Sequence, residues 1–291
     1  MKMLVLNSYA KINLGLLLFR KRADGYHDIA TVFQQIGLYD EITFRKTSSS
    51  LTISSTESAL PLDNTNLVHR SFDLIRKLCG IREGLKVHIR KNIPIGGGMG
   101  GGSSNAASTL LAVNRIWELH LSSDELQGMA IEIGSDVPFF LLGGTALGRG
   151  RGEILTPIHW SADYWIVTVN PGISVSTSWA YGQAKIALTK EEKFTKFRSI
   201  FKRYIPHTLC SMLINELEGV VFQRHPVLRE MKERLYKKDA FYASMSGSGS
   251  TLFGLFHHHD QAVAANMFFS KMRGVTSHLC RPIELSSEDR R

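Results

Sequence analysis

Pro94-Ile95-Gly96-Gly97-Gly98-Met99-Gly100-Gly101-Gly102-Ser103-Ser104 is the stretch from which the rest of the chain is read. Six glycines in the seven positions Gly96 to Gly102 leave the backbone nearly bare. Such a backbone takes positive φ and approaches another molecule closely. Directly downstream, Asn105–Trp117 carries Ala106, Ala107, Leu110, Leu111, Val113 and Trp117 at helical spacing. Ser103 or Ser104 is its expected cap. A glycine loop that feeds a helix presents unpaired N–H groups and the positive end of a dipole, so the stretch predicts an anion site, phosphate first. Upstream, Leu85–Arg90 alternates apolar and polar residues, which predicts a strand with one lightly covered face, as in antiparallel sheets. Gly96, Gly98 and Gly101 fit G-x-G-x-x-G, but a run this dense fits it trivially. The acid expected about 20 residues on, at a second strand end, would be Glu118, which falls in or just past the helix. No G-K-[ST] follows, so there is no Walker loop. The plainer alternative is a glycine linker, and a flanking strand and capped helix argue against it.

Composition bounds the answer. The 291 residues suffice for one large or two medium domains; we expect two, at 1–157 and 158–291. An apolar share of 43% and a charged share of 21% are ordinary for a globular chain. No apolar run approaches a membrane span, and the apolar start Met1–Leu6 is too short for a signal peptide. Cys79, Cys210 and Cys280 are few, scattered and odd in number, which argues against a disulfide framework or a zinc site and fits a reducing cytoplasm. The net charge of +9 fits nucleic acid or small anionic ligands such as nucleotides. It is spread out, and no nucleic-acid-binding motif accompanies it. Much of it lies between Lys185 and Arg203, mixed with acids and large apolar residues, which reads as a solvated helical face.

Met3–Arg20 reads as a strand pair or one long strand, with Ala10, Ile12 and Leu14 on one face and Lys11 and Asn13 on the other. Lys11 and Asn13 are either poised to meet a ligand or belong to an exposed edge. Asp24-Gly25 is a turn signal that places Tyr26 and His27 just beyond it, as binding residues or as ordinary surface. Asp40–Arg45 and Leu51–Ser54, around the polar Thr47–Ser50, predict a hairpin. Asn64–Asn66 opens a helix with a stripe of Leu67, Ser71, Leu74, Ile75 and Leu78, ended by Gly80. Asn66 is a cap or a contact to a bound base. Ser122 with Glu125 forms a capping box. Asp136, two residues before Pro138, is a helix start, a role compatible with catalysis. Thr145–Pro157 is a hairpin, and Trp165–Asn170 is a strand. Ser174–Tyr181 is a hydroxyl-rich loop or a helix capped by Thr177 or Ser178. Beyond Pro226 the pattern alternates helix and strand around a second glycine-serine loop, Ser244–Ser250, which predicts helices packed on one face of an antiparallel sheet. Consecutive His257, His258 and His259 point in alternating directions, which argues against a metal site. The tail Ser286–Arg291 is expected to fray.

Four pieces, in this order and spacing, resemble the GHMP kinase superfamily over nearly the whole chain. They are the Lys11/Asn13 strand, the loop Pro94–Ser104, Gly134–Phe140, and the late loop Met245–Ser250. Pro-x-Gly-Gly-Gly-Met-Gly-Gly-Gly-Ser-Ser-Asn is similar to that family's phosphate loop. Ala10–Leu14, Arg22-Ala23-Asp24-Gly25-Tyr26-His27 and Gly134–Phe139 resemble the branch that acts on 4-diphosphocytidyl-2-C-methyl-D-erythritol. The hexapeptide separates it from the homoserine and mevalonate branches.

The resemblance implies an α+β fold, with an N-terminal domain like the second domain of ribosomal protein S5 and a ferredoxin-like C-terminal domain. It implies transfer of the ATP γ-phosphoryl group to the 2-hydroxyl of the methylerythritol unit, a step in non-mevalonate isoprenoid precursor synthesis. Pro94–Ser104 and Asn66 would hold ATP, with Mg²⁺ as the divalent cation and its protein ligands unassigned. Asp136 would be the base and Lys11 its partner, with Asn13 beside it. Tyr26 and His27 would hold the cytosine, with Tyr181 on the opposite face and Thr177 near the substrate. Phosphoryl transfer asks for positioning and charge neutralisation, which suits these residue types. The expected partners are a small-molecule substrate with no nucleic acid or membrane, in a monomer or weak homodimer. The competing readings are another GHMP small-alcohol kinase, of homoserine or mevalonate type, and a non-catalytic nucleotide-binding protein.

Overall fold

The computed structural model describes residues 3–48, 50–158, 163–184 and 213–284. The basic stretch Lys185–Arg203, Cys210 and the tail Ser286–Arg291 lie outside the described residues. The chain forms two compact units interleaved in sequence. One comprises Met1–Ala10, Leu38–Ile95 and Gly100–Leu142; the other comprises Lys11–Gly37, Gly96–Met99 and Gly143–Arg291.

Two long strands contribute to both units. β1 (Met3–Lys21) is one continuous strand, and β2 (His27–Thr47), which pairs with it, is far longer than the expected Asp40–Arg45. In the first unit β2 pairs antiparallel with β4 (Gly84–Arg90), from Glu41↔Arg90 to Thr47↔Gly84. The alternation of β4 is as read: Leu85, Val87 and Ile89 are buried, while Lys86, His88 and Arg90 are exposed. The expected hairpin does not form. β3 (Thr52–Ser55) pairs with β4 instead, in parallel, through the crossover helix α1 (Leu67–Cys79). A parallel pair needs such a crossover, and β4 supplies the apolar positions that hold both neighbours.

Asn66 caps α1 by accepting from Val68 N, and Gly80 ends it at φ 65°. The buried stripe is Val68, Ser71, Phe72 and Ile75, rotated from the expected one; Leu78 is exposed. β-Branched Val68 and aromatic Phe72 take the core side, and Phe72 packs 6.1 Å from Trp117. α2 (Gly101–Ile116) begins four residues earlier than expected. Its cap is Gly100, left-handed at φ 68° and without a side-chain cap bond, so neither Ser103 nor Ser104 caps it. A glycine in the left-handed region starts the helix directly and draws both serines into its first turn. Ten of its residues are buried, so small Ala and Ser side chains on most sides suit it to a core. α3 (Ser123–Ile133) has both bonds of the Ser122/Glu125 capping box, and α4 (Val137–Leu142) follows Asp136.

In the second unit the earlier half of β2 pairs with β5 (Thr145–Gly150), and β5 pairs with β6 (Ile154–Pro157) in the expected hairpin. A four-stranded antiparallel sheet has the order β10-β7-β9-β8, formed by β7 (Trp165–Asn170), β8 (Tyr242–Met245), β9 (Leu252–Phe256) and β10 (Thr276–Cys280). Read as fourth, first, third, second, this is the strand order of a ferredoxin-like sheet. Its helices are α5 (Thr177–Gln183), α6 (Glu218–Arg224), α7 (Pro226–Lys237) and α8 (His259–Ser270). Leu228, Met231 and Leu235 of α7 join Val167, Val169, Leu252, Phe256 and Phe269 in one apolar core. His257 stacks on Phe241 at 4.0 Å and His259 packs on Trp165 at 4.3 Å, so both rings serve packing. Among the described residues, no helix is long and apolar enough to cross a membrane.

Candidate active site

In the second unit the glycines Gly96–Gly98 are locked against the late glycine-serine loop. Ser246 Oγ donates to Gly98 O at 2.9 Å, Thr251 N to Gly97 O at 3.2 Å, and Lys11 N to Met99 O at 3.1 Å. Gly96 and Gly98 have φ of 67° and 78°, and a Cβ on Gly98 would fall 2.1 Å from Ser246 O. No side chain fits there, and no neighbouring side chain could move to make room, because the obstacle is backbone.

The same unit holds Lys11 and Asn13 buried, at 4% and 1% exposure, which settles the edge-strand alternative. Lys11 Nζ donates to Asn13 Oδ1 at 2.6 Å, Asn13 Nδ2 donates to Thr31 Oγ1 at 2.8 Å, and Thr31 Oγ1 donates to Gly15 O at 2.7 Å. Lys11 Nζ also lies 5.1 Å from the Phe33 ring centroid. Gly247 closes over this pair: a Cβ there would meet Asn13 Oδ1 at 3.3 Å, Gly98 O at 3.4 Å and Lys11 Nζ at 3.7 Å.

Sequence reasoning missed Asn215. Its Nδ2 donates to Met245 O and Gly247 O, both at 2.8 Å, and its Oδ1 accepts from Leu217 N at 3.0 Å. It therefore sets the late loop from behind. Asn170 adds a bond from Nδ2 to Thr251 Oγ1 at 2.9 Å. The sequence signal for Asn215 is slight: it stands with Glu216 as a polar pair between Ile214 and Leu217.

Tyr26 and His27 also stand in this unit. Tyr26 is 54% exposed, with the Arg151 guanidinium 5.1 Å from its ring centroid. His27 is buried, and its ring centroid is 5.6 Å from that of Tyr181 at an interplanar angle of 37°. Burial pushes the His27 imidazole below its ordinary range, with Lys21 acting in the same direction. Thr177 Oγ1 shares a 2.9 Å hydrogen bond with Ser248 Oγ. The cap of α5 is Ser176, which accepts from Trp179 N, rather than Thr177 or Ser178.

In the first unit, Pro94 and exposed Ile95 lead towards the loop, and Gly100, Gly101, Gly102, Ser103 and Ser104 form the start of α2. Ser8 Oγ lies 2.7 Å from Ser104 Oγ and 2.8 Å from Asn105 Oδ1, tying that helix start to β1. The amide of Asn66 is engaged at both ends, accepting from Val68 N at 2.9 Å and donating to Pro61 O at 2.6 Å. Asp136 is half-buried, directly before α4. Among the described residues, no cluster of three or more His, Cys, Asp or Glu forms a ready metal site.

The glycine run Gly96–Gly102 and the buried pair Lys11 and Asn13 fit a nucleotide-using phosphotransferase. Family models agree. The GHMP kinase N-terminal domain matches residues 66–144 and the GHMP kinase C-terminal domain matches 203–273. The chain belongs to the GHMP kinase family, whose members are small-molecule kinases.

The relatives narrow the branch. The chain is 40% identical over 267 residues to a 4-diphosphocytidyl-2-C-methyl-D-erythritol kinase of Alkaliphilus metalliredigens, covering 91% of this chain and 92% of the relative. It is 41% identical over 277 residues to the protein of the same name in Chlorobium phaeobacteroides, covering 92% and 94%. A crystal structure of 4-(cytidine 5'-diphospho)-2C-methyl-D-erythritol kinase superposes with a TM-score of 0.78 at 31% identity, over 96% of this chain and 99% of that one.

Proposed function

We propose that this protein transfers the γ-phosphoryl group of ATP to the 2-hydroxyl of 4-diphosphocytidyl-2-C-methyl-D-erythritol, in the cytoplasm, as a step of non-mevalonate isoprenoid precursor synthesis. The observation that carries the reading is full-length likeness, about 40% identity over nine-tenths of both chains, to proteins named for that reaction. The chain's own residues suit it. The nearly side-chain-free run Gly96–Gly102 suits backbone N–H contacts to phosphate oxygens. A divalent cation, Mg²⁺ in this reading, neutralises phosphate charge when bound; we assign it no protein carboxylate.

In this reading Asp136 accepts the proton of the acceptor hydroxyl as the new O–P bond forms and the β,γ-bridging O–P bond of ATP breaks. The Lys11 ammonium orients Asp136 and stabilises the developing alkoxide and the transferring group, with Asn13 positioning Lys11. His27 and Tyr26 hold the cytosine, with Tyr181 across from them and Thr177 near the acceptor. Asn66 meets the adenine-nucleotide side with the acceptor and donor capacity its capping bonds leave over. Residues 1–157 form the ATP-binding domain and 158–291 the second domain, in a monomer or weak homodimer.

The test is ATP consumption with the methylerythritol phosphate acceptor, with and without its cytidine moiety. Turnover with the cytidine compound and competition by CMP are expected. Equal turnover of homoserine or mevalonate, with no effect of CMP, would move the protein to another branch of the family. Asp136→Asn is expected to fold, bind ATP and transfer almost no phosphate; near-normal turnover would remove Asp136 as the base.

A further inference from the structure

The segment that delivers the chain to the glycine loop is pinned by a buried ion pair that the reaction scheme above leaves unused. Asp40, at 0% exposure on β2, accepts from Asn92 N and Ile93 N through Oδ1, each at 2.8 Å. Lys91 Nζ stands 2.9 Å from Asp40 Oδ2 and 3.2 Å from Oδ1, and it also donates to Ile93 O. The same ammonium flanks the first residue of α2: a Cβ on Gly101 would meet Lys91 Nζ at 3.2 Å and Ile93 Cγ2 at 3.0 Å.

Three consecutive residues, Lys91 to Ile93, thus converge on one carboxylate, immediately before Pro94. An ammonium beside the positive end of a helix is unfavourable by itself. The Asp40 charge cancels it, so the helix start stays available to an anion while the turn before the loop is fixed. Burial of both side chains, at 5% and 0% exposure, and their pairing with each other keep them from reaching a ligand themselves. Their effect on one must pass through the backbone of residues 91–93 and Gly101.

The geometry points to Asp40 as a positioning residue for ATP: by holding the N–H groups of Asn92 and Ile93 it sets the glycine loop and the α2 start in their phosphate-binding positions. This rests on the reading that ATP binds along that loop.

Two double variants isolate the acceptor oxygen. Both remove the buried charges together, which avoids stranding one of them. Asp40→Asn/Lys91→Met keeps an oxygen for the two N–H groups, and Asp40→Leu/Lys91→Met does not. We expect the Asn version to keep ATP KM within about twofold of wild type and the Leu version to raise it about tenfold. KM for the acceptor should stay unchanged in both, and ADP affinity by calorimetry should follow ATP KM. A folded Leu version with wild-type ADP affinity, or equal rises in both KM values, overturns the inference.

If the Leu version does not fold, Asp40→Glu carries the test. It keeps the charge but moves the carboxylate by one methylene, and ATP KM should rise at least about threefold; wild-type affinity overturns the inference there too. A wild-type protein that binds no adenine nucleotide overturns the functional reading and this inference with it. A wild type that binds ADP beside variants that bind equally well overturns this inference alone.

Discussion

The carbonyl oxygen of Ser246 stands 2.1 Å from where a Cβ on Gly98 would lie, so the glycine loop is shaped by a backbone that cannot yield. Gly98 also has φ 78°, a region costly for any L side chain. Gly25 has φ 85° but open space around its Cβ position. The two glycines therefore separate conformational strain from crowding. Gly25→Ala should cost about 1 kcal/mol in urea unfolding and leave ADP affinity unchanged. Gly98→Ala should cost about 3 kcal/mol or more and weaken ADP at least about tenfold. Equal effects of the two substitutions would show that the late loop does not shape the cradle.

Asn13 holds the Lys11 ammonium at 2.6 Å without cancelling its charge. Asn13→Asp preserves shape but sets a carboxylate against Nζ and removes the donor that Thr31 Oγ1 accepts from. If the Lys11 charge acts on the transferring group, Asn13→Asp should lower kcat about 10²-fold with little change in ATP KM, and Lys11→Met should lower it at least as much. Steady-state kinetics at saturating ATP read this directly. A rise in ATP KM at constant kcat would place the pair in nucleotide binding instead.

What could be read in advance was what depends on neighbours in sequence. The glycine run, the alternation in Leu85–Arg90, the Ser122/Glu125 box and the αL end at Gly80 are each set within a few residues, and each formed. The Asp40–Leu51 region failed as a hairpin because a polar turn says only that the chain bends, and β4 takes the place between the two strands. The start of α2 was displaced because serine is a frequent cap, yet Gly100 could enter the left-handed region at less cost. Lys11 and Asn13 were legible as a pair, since strand alternation places them on one face. Asn215 was not: its partners are backbone carbonyls 30 and 32 residues away, which carry no side-chain signature. Lys91 and Asp40, 51 positions apart, were hidden for the same reason.

Burial lowers the affinity of two imidazoles for protons, His27 and His278. His278 Nε2 is buried with no hydrogen-bond partner among the described residues. For each, the unfolded chain takes up a proton near the ordinary value of about 6.5 while the folded protein resists it. Stability is therefore full above about pH 6.5 and is lost as the pH falls from there through the lower folded value. Urea unfolding between pH 7.5 and about 5 should show this slope, and His278→Gln should flatten part of it. The His27 ring proton followed by NMR should titrate with a midpoint below about 6.5. A midpoint above that value would mean His27 faces an anionic partner rather than a dry pocket.

Asn215 joins three backbone groups: it donates to Met245 O and Gly247 O, accepts from Leu217 N, and is itself 4% exposed. Asn215→Ala leaves two carbonyls and one N–H without this partner in a buried place, a loss of about 2–3 kcal/mol in urea unfolding. Asn215→Asp keeps an acceptor for Leu217 N but turns an oxygen toward two carbonyl oxygens, so it should destabilise more than Ala at neutral pH and recover partly in acid, where a protonated carboxyl can donate to one of them. Because Gly247 covers Lys11 and Asn13, both variants should also lower kcat about tenfold at temperatures where they remain folded. If Asn215→Ala loses stability but keeps wild-type kcat, the late loop holds its catalytic shape without Asn215, and the residue is a fold determinant only.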